Sequence, residues 1–411
     1  MVSMLSRTLA GPIRELCFDP HKIALISGPR QCGKTTLAKQ LLAERGAGGY
    51  HNWDDTGFRR TWAKNPRAVW PADAGEPTPL LVLDEIHKAR GWKRTLKGLW
   101  DTQRAPADVL VTGSARLNVY KKGGDSLLGR ALHFRMHPLS LAELRGMELP
   151  TEPGERLDAL LARAHRPDRR GRELFEGLLR FGGFPEPFVA ASDRRARVWQ
   201  RSRVEKVIRE DLRDLSRLPE LSRVEMLAAL LPERVGSLFS RASLREDLEV
   251  PHDTVTRWVL ALEELYYLFA IRPWTKAVVR TLKKEGKLYL WDWTEVPEAG
   301  ARFENLVAVH LHKACDAWTD SGEGTFSLHT LRNKEREEID FLIARDRRPW
   351  LAVEAKLSDT SPPRHWDKFL RYLGCGHGLQ LVATPGIFRS HELAHGRVLV
   401  VSAEEALSYF V

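Results

Sequence analysis

The chain has 411 residues, and 64 lysines and arginines against 54 aspartates and glutamates give it a formal net charge of +10 at pH 7. A chain of this length typically folds as about two to four domains, and the charge favours a polyanionic partner, although an arginine-rich composition from a GC-rich genome would produce the same excess. Four cysteines without a close pair argue against a disulfide framework and a structural zinc site, and no apolar run is long enough to span a membrane or to act as a signal peptide. We therefore expect a cytoplasmic protein without a membrane partner.

The first predicted strand leads into a glycine-rich loop. Residues 23–26 form an apolar run typical of a buried parallel strand, residues 28–35 match G-x-x-x-x-G-K-T, and a helical pattern follows. Gly28 and Gly33 permit the torsions that turn backbone N–H groups inward, Lys34 would reach the β- and γ-phosphates, and the Thr35 hydroxyl would ligate Mg²⁺. The sequence therefore predicts a nucleoside-triphosphate site. Its expected binding residues are Gly28, Pro29, Arg30, Gln31, Cys32, Gly33, Lys34, Thr35 and Thr36.

A second apolar run, at residues 80–84, predicts another buried strand with two carboxylates, Asp84 and Glu85, at its carboxyl end. This is the Walker B pattern, in which Asp84 would hold Mg²⁺ together with Thr35, and Glu85 would polarise the attacking water. Strands that end in two acids are common, but after a phosphate-binding loop the catalytic interpretation is favoured. We expect ATP and Mg²⁺ to be the cofactors of this region.

Two further positions are candidates for contact with the γ-phosphate. A strand predicted at residues 109–112 ends in polar residues, so Thr112 or Ser114 would lie where ligands bind in parallel α/β sheets, although a plain turn explains them nearly as well. Arg130 precedes the last core strand, predicted at residues 132–137, where an arginine finger would lie if subunits assemble in a ring. A surface role, or a phosphate-lid role within one subunit, is the alternative for Arg130.

Six short motifs along the chain, most of them outside the glycine-rich loop, point to one family. They are residues 28–36, 83–88, 112–114, 128–130, 138–143 and 181–186. With them the chain resembles a prokaryotic family of AAA-type ATPases whose C-terminal domain is labelled only as of unknown function. The resemblance covers nearly the whole chain and implies an AAA-type fold and ATP hydrolysis, but far less about biological role. The chain departs from the family in a basic, arginine-rich insert at residues 163–172.

The segment from about residue 150 to 220 is predicted to be helical and is strongly basic. Its arginines would form an electrostatic track for nucleic-acid phosphates, or a solvated helical face paired at i,i+4 with acids such as Glu205, and the sequence leaves both open. The arginines concerned are Arg163, Arg166, Arg169, Arg170, Arg172, Arg194, Arg195, Arg197, Arg201 and Arg203.

Residues 222–293 are predicted to form a winged helix. Residues 243–250 resemble a second helix with Ser243 as its N-cap, and residues 251–262 a recognition-type helix whose Arg257 would face outward. A hairpin wing is predicted to follow, and the basic residues that flank it are Lys276, Arg280, Lys283, Lys284 and Lys287. Such modules bind DNA in the major groove, but they also serve as protein–protein scaffolds.

The last region carries a second group of chemically active residue types. Asp340 lies on one predicted strand, Glu354 and Lys356 lie on the same face of the next, and Glu304 lies on a preceding helix. This resembles the PD-(D/E)xK nuclease pattern, in which the three acids would hold Mg²⁺ and Lys356 would help to generate or orient hydroxide. Cross-strand acid–lysine pairs also stabilise hairpins without any catalytic role, and a nuclease-like fold often persists as a binding module.

The sequence thus favours a Mg²⁺-dependent AAA-type ATPase, possible as a ring-shaped homo-oligomer, that remodels or moves along DNA, including branched DNA. Its C-terminal domain would either cut or grip the DNA. The alternatives are a nucleotide-controlled signalling or assembly switch, of the defence or toxin–antitoxin type, and a DNA-binding regulator with slow ATPase activity. The predicted domains are a doubly wound α/β ATPase core at residues 1–147, a basic helical linker at 148–221, a winged helix at 222–293 and an α/β restriction-endonuclease-like domain at 294–411.

Overall fold

A computed structural model describes most of the chain, and it divides into two compact units, residues 1–137 and 138–411. The described residues are 5–72, 75–103, 105–113, 127–163, 168–212, 220–239, 241–275, 286–333 and 335–411. Within these ranges, no helix is both long and apolar enough to cross a membrane.

The first unit contains a five-stranded parallel sheet. Its strands are β1 (Ile23–Ser27), β2 (Gly48–Asn52), β3 (Leu80–Asp84), β4 (Asp108–Thr112) and β5 (Ala131–Arg135), in the order β2-β3-β4-β1-β5. The central strands β1, β3 and β4 are fully buried, as expected for apolar runs of a parallel sheet covered by helices. The predicted α/β class is confirmed, and each predicted core strand agrees with the observed one to within two residues.

Among the described residues of this unit, one helix precedes β1, and three others connect strands of the sheet. They are Ala10–Ile13, which continues into a π-helical turn at Arg14–Phe18, and Lys34–Arg45, Thr56–Lys64 and Trp92–Asp101. Asp55 caps the third of these by accepting the Phe58 N–H at 2.6 Å, and Phe58 and Trp62 of that helix pack in the core with Leu83. Because all five strands are parallel, their carboxyl ends share one edge, where the glycine-rich loop and the acids of β3 are placed.

The second unit begins with helices. They are Leu141–Arg145, Pro153–Ala162, Arg169–Phe181, Pro185–Ala190, Asp193–Lys206, Leu221–Leu230, Arg241–Leu248 and His252–Glu264. In the last of these, Val255, Trp258 and Leu262 are buried and Arg257 is exposed, as the sequence predicts. The predicted N-cap is wrong, because Ser243 lies inside its helix and its hydroxyl accepts a hydrogen bond from Arg234 at 3.0 Å.

An eight-stranded mixed sheet forms the rest of the second unit, together with the helices Ala299–Asp320, His365–Leu373 and Ala403–Ala406. The strands are β6 (Leu268–Pro273), β7 (Lys287–Leu290), β8 (Phe326–Arg332), β9 (Glu338–Arg345), β10 (Arg348–Lys356), β11 (His377–Val382), β12 (Phe388–Leu393) and β13 (Gly396–Ser402). Their order is β12-β13-β11-β10-β9-β8-β6-β7. The sheet therefore includes strands from both sides of the domain boundary predicted at residue 293.

The basic helical segment contains both exposed and paired arginines. Arg169 and Arg172 pair with glutamates four residues further on, at 3.0 and 2.7 Å, and Arg203 is buried against Glu295 at 3.3 Å. Arg209 likewise pairs with Glu205 at 3.4 Å. By contrast, Arg194, Arg195, Arg197 and Arg201 are exposed, whereas Arg166 lies outside the described residues.

Candidate functional site

The glycine-rich loop lies between β1 and the helix Lys34–Arg45. A Cβ atom on Gly28 would lie 2.0 Å from the Met136 carbonyl oxygen, so the close approach of the two backbones requires glycine at this position. Gly33 precedes the helix with φ of 102°, a conformation that side chains disfavour. The two glycines thus leave the N-terminal N–H groups of the helix facing the loop, which is the arrangement that binds phosphate.

Lys34 is folded back onto this loop. Its ammonium group donates to the carbonyl oxygens of Gly28 at 2.9 Å and Pro29 at 2.6 Å, and the residue is buried. The ammonium is therefore held inside the loop by neutral acceptors. Phosphate oxygens are stronger acceptors for a cation than carbonyl groups, so a bound triphosphate would replace these contacts at little structural cost.

Asp84, at the end of β3, is surrounded by neutral hydrogen-bond donors. Its Oδ2 accepts from the Thr35 hydroxyl at 2.8 Å, the Tyr50 hydroxyl at 2.7 Å and the Asn52 amide at 3.3 Å, and its Oδ1 accepts from the Thr112 hydroxyl. The structure thus brings the predicted pair of Thr35 and Asp84 together. Both supply oxygen ligands of the kind that Mg²⁺ prefers, and the remaining ligands would come from the nucleotide and water.

Tyr50 and Asn52 were not among the residues singled out from the sequence. They stand two positions apart on β2, so they face the same side of the sheet, and Asn52 is directly opposite Asp84 on the neighbouring strand. Burial, with the nearby Asp84 carboxylate, raises the pKa of Tyr50 to about 12, so the hydroxyl remains a donor at neutral pH. In the sequence these two residues appear only as a predicted strand that ends in Tyr-x-Asn. Their contact with Asp84 can be inferred only when the neighbouring strand is known.

Glu85 follows Asp84 with φ of 58°, in the left-handed region. This conformation costs a non-glycine residue on the order of 1 kcal/mol, and the backbone N–H still donates to the Thr112 carbonyl oxygen at 2.9 Å. The carboxylate lies 3.5 Å from the Lys88 ammonium and 3.7 Å from His87 Nε2. Glu85 therefore stands at the same sheet edge as Lys34 and Thr35, with its direction set by a strained backbone.

The remaining three candidates of this unit have different outcomes. Ser114 lies outside the described residues, whereas the hydroxyl of Thr112 is bound to Asp84. Arg130 precedes β5 and so lies at the opposite edge of the sheet from the glycine-rich loop, a strand length of roughly 16 Å away. Its guanidinium pairs with Asp101 at 2.7 Å. This placement excludes a lid over the phosphates of its own subunit and leaves open both a surface role and a role toward a second copy.

Two of the four C-terminal candidates, Glu304 and Asp340, share a cluster with a central lysine that the sequence did not indicate. Lys287, placed by sequence with the wing, is instead buried, and its ammonium lies 3.2 Å from Glu304 and 3.6 Å from Asp340 and also contacts Glu338. Although burial by itself lowers it, the pKa of Lys287 is raised by the carboxylates of Glu304, Asp340 and Glu338. We call Lys287, Glu304, Glu338 and Asp340 the acid–lysine cluster.

The second half of this region is also paired internally. The Lys356 ammonium lies 2.8 Å from Glu354, and Asp340 accepts the Ala355 backbone N–H at 2.9 Å. Burial and the neighbouring Asp340 raise the pKa of Glu304 to about 7. Among the residues that the structure describes, no group of three or more His, Cys, Asp or Glu side chains is arranged to hold a metal ion. A divalent ion therefore does not fit the acid–lysine cluster as it stands, because the ammonium of Lys287 lies between its acids.

Comparison with family models divides the chain into three matches. Residues 20–145 match the AAA domain, residues 172–294 match a domain of unknown function (DUF8612), and residues 299–399 match another (DUF4143).

Two curated relatives, uncharacterized proteins of Mycobacterium bovis and Mycobacterium tuberculosis, are each 25% identical over 271 residues. Each match covers 66% of this chain and 54% of the relative, so it spans about half of the relative's length. Among solved structures, the Walker-type ATPase of Pyrococcus abyssi is 15% identical, with a TM-score of 0.43, and the match covers 72% of this chain and 95% of that one. AMPPCP-bound DnaA from Aquifex aeolicus is 14% identical with a TM-score of 0.31, over 62% of this chain and 86% of that one.

Proposed function

We propose that this chain, an AAA-type ATPase with C-terminal domains of unknown function, hydrolyses ATP with Mg²⁺ and uses the energy to remodel or move along DNA. The observation that carries the ATPase part is the convergence of Lys34, Thr35, Asp84 and Glu85 on one edge of the parallel sheet. Bound Mg²⁺ would neutralise charge on the β- and γ-phosphates during transfer to water.

Each residue of this edge has a distinct task. Lys34 would exchange its carbonyl acceptors for phosphate oxygens, and Thr35 would offer its hydroxyl oxygen to the metal while still donating to Asp84. Tyr50 and Thr112 stay bound to Asp84 and hold its carboxylate in place. Glu85, outside this hydrogen-bonded group, orients the attacking water and accepts its proton.

A second copy of the chain would complete the site through Arg130. The guanidinium lies at the sheet edge away from its own nucleotide, and the neighbouring Leu128 is 75% exposed. An exposed leucine beside an arginine suits a contact with another subunit, where the arginine would stabilise charge on the transferred phosphoryl group. The oligomer, including a ring, is part of the proposal.

The proposal of DNA as the partner is supported by charge and by one exposed helix. The net charge is +10, and the helix His252–Glu264 presents Arg257 outward beside Thr254 and Thr256. Arginines of the helix Asp193–Lys206 add exposed positive charge. These features suit phosphate contacts that do not depend on sequence. The wing residues Lys276, Arg280, Lys283 and Lys284 lie outside the described residues.

The rival function is a nucleotide-controlled switch in which the C-terminal domains act as binding scaffolds. One observation favours it: the acid–lysine cluster is paired internally, as in a structural core. The two proposals differ in their response to DNA.

ATP hydrolysis measured with duplex, forked, four-way and single-stranded DNA at increasing salt separates them. Stimulation by at least one DNA, declining steeply with salt, supports the DNA-remodelling function. ATP hydrolysis that no DNA changes, together with nucleotide-dependent assembly, would support the switch. Absence of hydrolysis in the wild-type protein would contradict both.

A further inference from the structure

We infer that Lys287 is the resident cation of the acid–lysine cluster and keeps divalent metal ions out of it, so that the nuclease-like region does not cleave nucleic acid in this arrangement. The inference decides between the cutting and gripping roles that the sequence leaves open for the C-terminal domain, and it rests on the proposed function for DNA as the partner. It does not depend on ATP hydrolysis.

The geometry around Lys287 is that of an occupied cation site. Three carboxylates from two different elements, Glu304 on a helix and Glu338 and Asp340 on β9, contact a single ammonium group whose side chain is only 6% exposed. Tyr289 adds a hydroxyl that donates to Glu304 at 2.7 Å. The ammonium thus occupies the centre of the group of acids that the nuclease pattern assigns to a metal.

A divalent ion and this ammonium exclude each other. Mg²⁺ needs six oxygen ligands in near-octahedral geometry at about 2.0–2.1 Å, whereas an ammonium–carboxylate contact is about 2.8 Å long. One oxygen of Asp340 also accepts the Ala355 N–H, and one oxygen of Glu304 accepts hydrogen bonds from both Lys287 and Tyr289. Entry of a metal would require the loss of these hydrogen bonds and would place two like charges side by side.

The backbone holds Lys287 in this position. Lys287 pairs with Ile271 of β6, and a Cβ atom on the preceding Gly286 would lie 2.2 Å from the Ile271 carbonyl oxygen. On the other side, a Cβ atom on Gly236 would come within 3.2 Å of the Glu304 carboxylate. Two glycines thus allow the backbone that carries the lysine and the backbone beside Glu304 to approach closely. The lysine comes from the segment that matches DUF8612, whereas the acids come from the segment that matches DUF4143.

The test is metal binding by the full chain without nucleotide, measured by calorimetric titration with Mn²⁺ and by the shift in unfolding temperature with Mg²⁺ or Mn²⁺. We expect the wild type and Asp340→Asn to bind metal ions to the same extent, because the acid–lysine cluster of the wild type holds no metal ion. Lys287→Met should gain a site at least tenfold tighter than any in the wild type, and Lys287→Met/Asp340→Asn should lose it. Lys368→Met is the matched control, because Lys368 pairs with Glu337 at the surface at 2.9 Å.

Loss of the lysine leaves three acids facing one another, so Lys287→Met/Glu338→Gln provides a variant with less repulsion that retains Glu304 and Asp340. Metal-dependent stabilisation of this variant but not of the wild type also supports the inference. A wild-type protein that binds Mn²⁺ or cleaves DNA through Asp340 would overturn it, as would folded Lys287 variants without any gain in metal binding. Because ATP hydrolysis is assayed separately, its failure would affect the proposed function and not this inference.

Discussion

The two carboxylate sites of the molecule differ in what surrounds the acids. In the first unit, Asp84 accepts hydrogen bonds from three hydroxyls and one amide, all neutral, and the nearby Lys34 is turned toward backbone carbonyl oxygens. In the second unit, Glu304 and Asp340 share the ammonium of Lys287. The first carboxylate is oriented by neutral donors alone, whereas the acids of the second group share one ammonium, which offsets part of their negative charge.

We propose that this difference separates an acid that can bind a metal ion from acids that stabilise the fold. Neutral donors fix the direction of a carboxylate without weakening the field that attracts a cation, whereas an ammonium among the acids weakens that field and occupies the position of the ion. Both sites are built from carboxylate side chains, so the residue type does not distinguish them. The identity of the neighbours therefore decides the chemistry.

The two sites also differ in whether they need a second subunit. We propose that the ATP site requires an arginine from a second copy, whereas all residues of the acid–lysine cluster belong to one chain, and this difference gives the largest expected effect. Arg130→Ala should lower ATP turnover by roughly 10³-fold and leave ATP binding nearly unchanged. Mixing it with Lys34→Ala protein should restore part of the activity, since one subunit supplies the intact loop and the other the arginine.

The control for this experiment is Asp101→Asn, which breaks the ion pair with Arg130 but keeps the guanidinium. Turnover should stay within a few-fold of the wild type. Equal loss in Asp101→Asn and Arg130→Ala, or full activity in a protein that stays monomeric by light scattering during turnover, would rule out the finger.

Glu85 provides the next test, since it is the acid that we propose orients the attacking water and accepts its proton. Glu85→Gln removes the proton acceptor but not the metal site of Thr35 and Asp84, so hydrolysis should fall by about 10²-fold or more while ATP stays bound. Steady-state turnover and retention of labelled ATP on gel filtration measure the two parts. Normal turnover in this variant would refute the assignment of Glu85.

A buried histidine in the second unit makes the stability of the protein depend on pH. His310 Nε2 accepts the Leu141 N–H at 3.2 Å, and burial lowers the pKa of His310 to about 4. Between pH 6.5 and 4 the unfolded chain therefore binds a proton that the folded chain refuses, and stability falls as the pH falls through this range. The span from 6.5 to about 4 corresponds to roughly 3 kcal/mol of unfolding free energy.

Denaturant unfolding at pH 4 to 8 measures this contribution. His310→Gln should be less stable at neutral pH but should show a flatter loss of stability between pH 6.5 and 4. Above pH 7 the curves of the two proteins should run parallel, because the imidazole is neutral in both states. An equally steep acid loss in the variant would show that other groups are responsible.

The smallest effect is expected at Tyr50. Tyr50→Phe removes one neutral donor from Asp84 without changing charge, so the Mg²⁺ concentration for half-maximal hydrolysis should rise by about three- to tenfold. ATP affinity measured in EDTA should not change. Tyr372→Phe, at a tyrosine that is 58% exposed, is the control for loss of a hydroxyl. If the Mg²⁺ requirement is the same in Tyr50→Phe and the wild type, Tyr50 has no positioning role.

The sequence predicts the ATP-binding edge well because its elements are local. The central strands β1, β3 and β4 are short, mainly apolar runs, and Lys34 and Thr35 lie in one continuous motif with Gly28 and Gly33. Asp84 ends its own strand, so the parallel arrangement alone brings it to the same edge. In these places a pattern a few residues long contains the information that the fold uses.

The neighbours of these acids could not be predicted, because they depend on pairing between distant segments. Tyr50 reaches Asp84 only through the register of β2 against β3, 34 residues away in sequence. Lys287 follows a group of basic residues typical of a wing, and nothing local marks it as buried among three acids. Ser243 has the pattern of an N-cap, but the helix begins two residues earlier.

The eight-stranded sheet determines where the chain can be truncated and which segments can be exchanged together in evolution. β6 pairs in parallel with β8 through Arg272 opposite His329 and Pro273 opposite Thr330, so strands from the two segments of unknown function form one hydrogen-bonded layer. A truncation near residue 295 would expose unpaired edge strands on both fragments, which promotes aggregation. The two segments should therefore be expressed together and exchanged in evolution as a single module, with residue 137 the better point at which to separate the chain.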